Sequence, residues 1–280
     1  MALEKSGEIL REGFKKGYGV VAANVFNYET IKWAIEEAEV LQKPLIIGFY
    51  PGWKHFIDVD VVAEITRACA KKVKVPIGLH LDHSTDFAEI VQAMKAGYSS
   101  VMYDGSVLPF DENVKNTAEV VKVAKTLDID VEAELGHVGS AAEASDFEDA
   151  AKFTSPEDAA VFLERTGCSS LAVAVGNAHG NYVRLPNLDI PRIQAIKEAV
   201  GIPLVLHGGS GIPDEQVQAA VKVGIAKMNV ATEYHNAYYR AILAYDKLED
   251  KVKDMFFCSC DIQPDVLDFL EYKINLLNPS

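Results

Sequence analysis

Long apolar runs are missing from this sequence: nowhere does it reach the roughly 18 consecutive apolar residues that a membrane-spanning helix needs. The opening Met1-Ala2-Leu3-Glu4-Lys5-Ser6-Gly7-Glu8 lacks the basic region followed by an apolar stretch that marks a secretory leader. A cytoplasmic protein without a membrane partner is therefore the expectation. Cysteine is scarce, and Cys69, Cys168, Cys258 and Cys260 fit neither a disulfide framework nor a Cys-x-x-Cys zinc pair. Positive charge is in deficit, with 27 basic against 41 acidic residues and a net charge of −14. Such a chain repels phosphate backbones and anionic lipid, which argues against nucleic acid as a partner. An anionic substrate would have to be held by local dipoles or a metal. No stretch has linker composition, so residues 1–280 read as one domain.

What the chain has is alternation. Eight apolar, β-rich runs occur at Gly19 to Val25, Pro44 to Tyr50, Pro76 to Asp82, Ser100 to Asp104, Asp130 to Gly136, Ser170 to Gly176, Pro203 to His207 and Ile225 to Ala231. Segments with apolar residues at three- and four-residue intervals separate them, from Glu29 to Leu41 through Asp214 to Gly224. The runs are almost continuously apolar, as strands are when crossover helices bury both faces. Gly97, Gly167, Gly201 and Gly224 stand where the helical patterns stop. Eight βα units close most naturally into a (β/α)8 TIM barrel, a fold that commonly reaches about 250 residues in one domain. An amphipathic segment from Leu3 to Lys16 predicts an extra N-terminal helix, and Pro264 to Leu277 predicts a C-terminal helical extension. Between Gly136 and Thr154 no period is visible, and the stretch reads as a mobile loop over the barrel mouth.

Chemistry in such barrels sits at the C-terminal ends of the strands. Strand three ends in Asp82-His83, strand four in Asp104, and strand five carries Glu132 and Glu134. Strand six runs into Asn177 and His179, strand seven ends in His207, and strand eight contains Asn229. Three of the seven histidines thus share one barrel end. Three converging imidazoles suit Zn²⁺, which polarises a carbonyl and stabilises a developing enolate. In a regular strand His80 and Asp82 face one way and His83 the other, so a shared site requires the strand to bend at 82–83. His80 then lies deeper, in a supporting role. His55, His137 and His235 carry weaker signals. His207-Gly208-Gly209-Ser210-Gly211 and Asn229-Val230-Ala231-Thr232 set small and hydroxyl residues at helix entrances after strands seven and eight, where backbone N–H groups can receive a phosphate.

Leu81-Asp82-His83, Val131-Glu132-Ala133-Glu134-Leu135-Gly136, Gly176-Asn177-Ala178-His179-Gly180, Leu206-His207-Gly208-Gly209-Ser210-Gly211 and Asn229-Val230-Ala231-Thr232 occur in this order. Together they resemble the motifs of class II, zinc-dependent ketose-bisphosphate aldolases of the fructose and tagatose branch, from about Leu3 to Arg240. The resemblance implies a lyase of carbohydrate metabolism in which His83, His179 and His207 bind Zn²⁺. Glu134 with Asp104 would serve a second position, for a divalent or monovalent cation. Asp82 would be the acid/base at the hydroxyl where the carbon–carbon bond breaks. Asn24, Gly180, Gly208, Ser210, Asn229 and Thr232 would hold the substrate and its phosphate, and the protein would be a homodimer or homotetramer.

Three departures accompany this likeness. The family's loop glutamate falls at position 142, which is Ala142 here, with Glu143 one residue late as the catalytic candidate. Tyr50 stands after strand two where the family often has a small hydroxyl residue, so the pocket should be narrowed or reshaped. The tail Tyr272-Lys273-Ile274-Asn275 lacks the family's glycine–serine finish. Three readings follow: an aldolase cleaving a ketose phosphate into a dihydroxyacetone-phosphate-type ketone and an aldehyde, a metal-assisted sugar-phosphate epimerase or isomerase, and a non-catalytic sugar-phosphate-binding paralogue.

Overall fold

A computed structural model describes residues 3–279; Met1, Ala2 and Ser280, included in the expected 1–280 domain, lie outside the described residues. Eight parallel strands close into a barrel in chain order: β1 (Val20–Asn24), β2 (Leu45–Phe49), β3 (Ile77–Ser84), β4 (Ser100–Tyr103), β5 (Asp130–Leu135), β6 (Ser170–Val173), β7 (Leu204–Leu206) and β8 (Ile225–Val230). β8 pairs with β1, with Val20 opposite Lys227 and Ala22 opposite Asn229. This is the expected (β/α)8 architecture. Among the described residues, no helix is long and apolar enough to cross a membrane.

Local chemistry sets the helix boundaries. Asn27 and Thr30 form a reciprocal capping box at the start of the helix Tyr28–Leu41. The Ser155 hydroxyl accepts from the Asp158 N–H ahead of Pro156, a residue already shaped for the first helical turn. Gly97 and Gly167 adopt φ of 92° and 64° at helix ends, a left-handed conformation that releases the chain into the next strand.

The main core is the ring between strands and helices, where β1 and β2 are buried along their whole lengths. Inside the barrel the filling is different at each end. At the N-terminal end, Ile9 and Leu10 of the helix Ser6–Lys16 pack with Val20, Ala22 and Ile46 as an apolar plug. Ser6 comes so close to β3 that a Cβ on Gly78 would meet its Oγ at 2.5 Å. Above the plug the interior turns polar, with His80, Asp82, Glu132, Glu134, Lys227 and Asn229 all buried. The extra N-terminal helix is thus the stopper that frees the other end for chemistry.

The C-terminal extension differs from expectation. Its helix runs Met255–Leu277, beginning nine residues before Pro264 and carrying that proline inside it. Pro264 removes only the N–H that would bond the Cys260 carbonyl. Burial of Cys258, Ile262, Val266 and Leu270 on one face holds the helix through that gap. The segment Gly136–Thr154, expected as a loop, contains a short helix Ala144–Glu148 and a 3-10 turn Ala150–Lys152.

Gly78→Val should overpack the plug, lowering unfolding free energy by about 1–3 kcal/mol. Urea unfolding checks this, with a loss below the error of the midpoint counting against the stopper role.

Candidate active site

The site begins with an irregularity in β3. Leu81 pairs with Val101 but Ser84 pairs with Tyr103, so three steps on β3 match two on β4. The extra residue is a β-bulge, and His83 takes a left-handed φ of 49°. This is the bend that the strand's alternation demanded, and it turns two consecutive side chains toward one mouth. The strand itself continues to Ser84, beyond its expected end at Asp82. Asp82 is buried and receives one hydrogen bond on each oxygen, from Asn24 Nδ2 and from Asn229 Nδ2, both at 2.7 Å. Burial alone would raise its pKa, but the positive charges of His83 and Lys227 outweigh that and hold the carboxyl well below its ordinary range.

His83, His179 and His207 converge, with candidate ligand atoms all within 4.8 Å of one another. Their ring centroids lie 4.3 Å (83 to 207), 4.8 Å (83 to 179) and 5.9 Å (179 to 207) apart. Each ring's orientation has a cause. Asp104 Oδ2 lies 2.8 Å from His83 Nδ1, while Asp104 Oδ1 accepts from the backbone and hydroxyl of Ser106. Glu132 Oε1 accepts from His207 Nε2 at 2.8 Å. That leaves His83 Nε2 and His207 Nδ1 facing each other at 2.5 Å. His179 is pinned through its backbone, donating to the Gly139 carbonyl and accepting from the Ala141 N–H.

The donor set fits a metal cation. Although burial opposes it, Asp82, Asp104 and Glu134 push the His83 pKa up to about 10, and its Nε2 faces His207 Nδ1 at 2.5 Å, so positive charge is favoured at this point. Burial and the neighbouring imidazoles pull His179 down to about 3, and burial also lowers His207, so both present lone pairs. Burial and the adjacent Asp104 raise Glu134 to about 8, and its Oε2 is buried without a hydrogen-bond partner. A metal at this point would be held by the three imidazoles, Glu134 with Asp104 and His83 forms a second group that could hold a cation, and carboxylates behind histidine ligands are what orient them.

A cavity of about 580 Å³ opens over this cluster. It is lined by Asn24, Asp82, His83, Asp104, Glu134, His179, Gly180, Gly208, Ser210, Asn229 and Thr232, all singled out from the sequence. His207 is fully buried behind it. Glu143 is not brought in: it is exposed at the start of the helix Ala144–Glu148, and the residues of that loop lining the cavity are His137 and Val138. Gly208 has φ 61°, and a Cβ there would lie 2.1 Å from the Ala178 carbonyl oxygen, so only glycine fits. Beside it, Ser210 and Thr232 stand at the N-terminus of the helix Thr232–Asp246, where Ser210 Oγ accepts from the Glu233 N–H and the helix field favours negative charge, a candidate anion seat. On the other wall Tyr50 and Trp53 meet edge to face at 5.4 Å.

Other residues carry no motif signal and emerge only in three dimensions. Lys227 Nζ donates to both oxygens of Glu132, at 2.8 and 2.7 Å, inside the barrel. One lysine in the apolar run of β8 was the available clue. Tyr182 accepts from the Ala178 N–H and donates to the Gly208 carbonyl, tying the loop after β6 to the anion seat. His80 keeps its supporting place, with Nδ1 2.6 Å from Ser100 Oγ and burial lowering its pKa to about 3. His235 donates to the Asn24 carbonyl, and His55 is exposed.

Two outcomes follow. Lys227→Met strands a buried carboxylate and should cost about 3–5 kcal/mol, largely recovered by adding Glu132→Gln; urea unfolding of both variants measures it, and an unaffected single variant would refute the network. In chelator-treated protein, His80, His179 and His207 stay neutral when folded but gain protons when unfolded, so stability drops as pH falls below about 6.5. Glu134, raised, opposes them but is outnumbered. Above that pH, His83 and Glu134 hold protons that the unfolded chain has lost, so stability declines toward pH 10 and 8 respectively. The urea midpoint should therefore peak near about pH 6.5.

Comparison with known proteins points to one family. The YdjI aldolase from Escherichia coli K12 is 33% identical, covers 99% of this chain and 98% of its own, and superposes with a TM-score of 0.89. The fructose-bisphosphate aldolase from Campylobacter jejuni, at 24% identity, covers 99% of this chain and 96% of its own and shares the fold with a TM-score of 0.85. The model of the family "Fructose-bisphosphate aldolase class-II" matches residues 4–278. The chain accordingly belongs to the class II fructose-bisphosphate aldolase family and is a carbon–carbon lyase.

Proposed function

We propose that this aldolase is zinc-dependent and reversibly cleaves a phosphorylated ketose into a dihydroxyacetone-phosphate-type ketone and an aldehyde. The observation that carries the reading is the meeting of three imidazoles beside a carboxylate kept ionised by two amides and nearby cations. His83, His179 and His207 would hold the zinc, with Glu134 and Asp104 available to a second cation. When bound, the ion supplies a Lewis acid that draws electron density from a ketone.

The chain's own groups account for the rest. The anion seat around Gly180, Gly208, Ser210 and Thr232 fixes the phosphate, and so fixes where along the substrate the reacting carbons fall. Asp82, facing the cavity between Asn24 and Asn229, takes the proton from the hydroxyl on the carbon that becomes the aldehyde. As that carbonyl forms, the carbon–carbon bond breaks and its electron pair stays with the ketone fragment, which then takes up a proton. Asn24 and Asn229 each keep a buried Oδ1 without a partner, suited to accept from substrate hydroxyls. For the returning proton, His137 is the titratable side chain of its loop at the cavity wall, whereas Glu143 would need the segment around it to move.

Assembly as a homodimer or homotetramer belongs to the same proposal, supported by apolar side chains exposed at Met255, Phe256 and Phe257. So does a cytoplasmic place, in keeping with the family's metabolic chemistry.

Asp82→Asn should lower kcat for triose phosphate release by about 10²–10⁴-fold while bound zinc, measured by mass spectrometry, stays unchanged. His207→Ala should lose the zinc as well. Release that survives both a chelator and Asp82→Asn would sink the proposal, as would a purified protein that neither holds zinc nor takes it up. Isomer formation without triose, or ligand binding without turnover, would point instead to the epimerase or the non-catalytic reading.

A further inference from the structure

Resting on that reading of the site, the two walls of the cavity differ in a way that bears on the substrate. The anion seat is built from the loops after β6, β7 and β8. Another stretch of wall, from the loops after β2, β3 and β4, includes Tyr50, Trp53, Thr85, Ser106 and Val107. Among the described residues, no lysine or arginine lines the cavity. Lys54, next to Trp53 in sequence, is engaged elsewhere: its Nζ lies 2.9 Å from Glu89 Oε1, and Glu89 Oε2 accepts from Ser84 Oγ at 2.7 Å. Arg184 and Arg240 line a neighbouring hollow that shares Ser210, on the side of the anion seat.

The aromatic wall is also fixed relative to the reacting groups. Tyr50 packs edge-on to Trp53, and Trp53 lies 4.9 Å from the His235 ring. His235 is bonded to the Asn24 carbonyl, and the Asn24 amide holds Asp82. Bound substrate that reaches from the anion seat past Asp82 therefore ends against Tyr50 and Trp53. A second phosphate there would bring a charge of about −1.5 to −2 into a cavity that already holds Asp82 and Asp104, with no lysine or arginine of the described residues lining it. Carbon-bound hydrogens and hydroxyls of a neutral chain instead suit rings that offer an apolar face and one phenolic hydroxyl.

We propose that the substrate is a ketose monophosphate, its one phosphate on the ketone half in the seat by β7 and β8, and its aldehyde half an uncharged hydroxyaldehyde lying on Tyr50 and Trp53.

The condensation direction tests this with the zinc-loaded full chain. Dihydroxyacetone phosphate is offered with glyceraldehyde or with glyceraldehyde 3-phosphate. A carbon–carbon bond forms, the ketone's reacting carbon loses a proton and the aldehyde oxygen gains one, so product accumulation reads both reactions alike. The expected result is a kcat/KM at least about tenfold higher for glyceraldehyde, the scale on which one uncompensated charge discriminates. Tyr50→Lys should move the ratio toward the phosphorylated aldehyde by about tenfold, read within the one variant so that altered folding or zinc content cancels. Exchange of the ketone's proton with solvent, followed by NMR without any aldehyde, separates the two layers of argument. If exchange proceeds and the phosphorylated aldehyde is equal or better, the monophosphate assignment is overturned and the zinc-aldolase reading stands. If no exchange occurs, that reading falls and takes the assignment with it.

Discussion

A carboxylate at the centre of a closed barrel must be partnered, because burying it alone costs several kcal/mol. Glu132 meets this demand with Lys227 from β8 and His207 from the end of β7, three groups that are almost wholly buried. The arrangement does more than neutralise charge. By accepting from His207 Nε2, Glu132 commits that ring to present Nδ1 toward the mouth. His83 faces that nitrogen, and Asp104 holds His83 from behind. One hydrogen-bonded chain thus crosses from β8 through β5, β7 and β3 to the end of β4. The orientation of two of the three imidazoles depends on an ion pair that no substrate reaches.

The loops above inherit this rigidity. The segment after β5 is strapped to His179 through Gly139 and Ala141, and its Ala141 and Phe147 form a small core with Ala178 of the loop after β6. Phe147 meets Tyr182 edge-on at 5.0 Å, and Tyr182 in turn holds the Gly208 carbonyl. Motion of this loop would therefore act on a histidine of the cluster and on the anion seat together. Its internal ties, Asp146 to the Ser140 N–H and to Lys152, keep it folded as a unit. Glu143 lies on the outer side of that unit, which explains how a residue adjacent in sequence to the expected acid position ends up away from the cavity.

How much of this could be read beforehand depended on the kind of signal. The barrel was legible because every strand is buried on both faces, leaving eight near-continuous apolar runs punctuated by helix-ending glycines. His83, His179 and His207 were legible because each follows such a run at the same end. The bend at His83 could be required by strand alternation, but its form, one inserted residue with positive φ, is a matter of pairing with β4. Lys227 was hidden because a single lysine within a strand carries no period, and its partner lies 95 positions away. Tyr182 was hidden for the same reason, since its contacts exist only when two loops meet. The start of the last helix was misplaced because proline usually opens a helix, whereas burial of Cys258 and Ile262 carries this one through Pro264.

The electrostatic plan of the mouth follows from a constraint on an acidic protein that handles an anionic substrate. A net charge of −14 gives no general attraction for phosphate. Lining the mouth with lysines would supply it, but those cations would compete with a metal for Asp104 and Glu134. The seat proposed for the anion would instead use backbone N–H groups and hydroxyls at a helix N-terminus, which carry field but no net charge. The carboxylates then remain free to gather positive charge at one point, where three imidazoles converge. Separation of the two functions is possible because the seat and the cluster come from different parts of consecutive strands: the strand ends supply His207 and Asn229, and the turns just beyond supply Gly208, Ser210 and Thr232. Gly208, closed against the Ala178 carbonyl, is the point at which they join, and in the proposed mode of binding it would set the distance between the anion and the reacting centre.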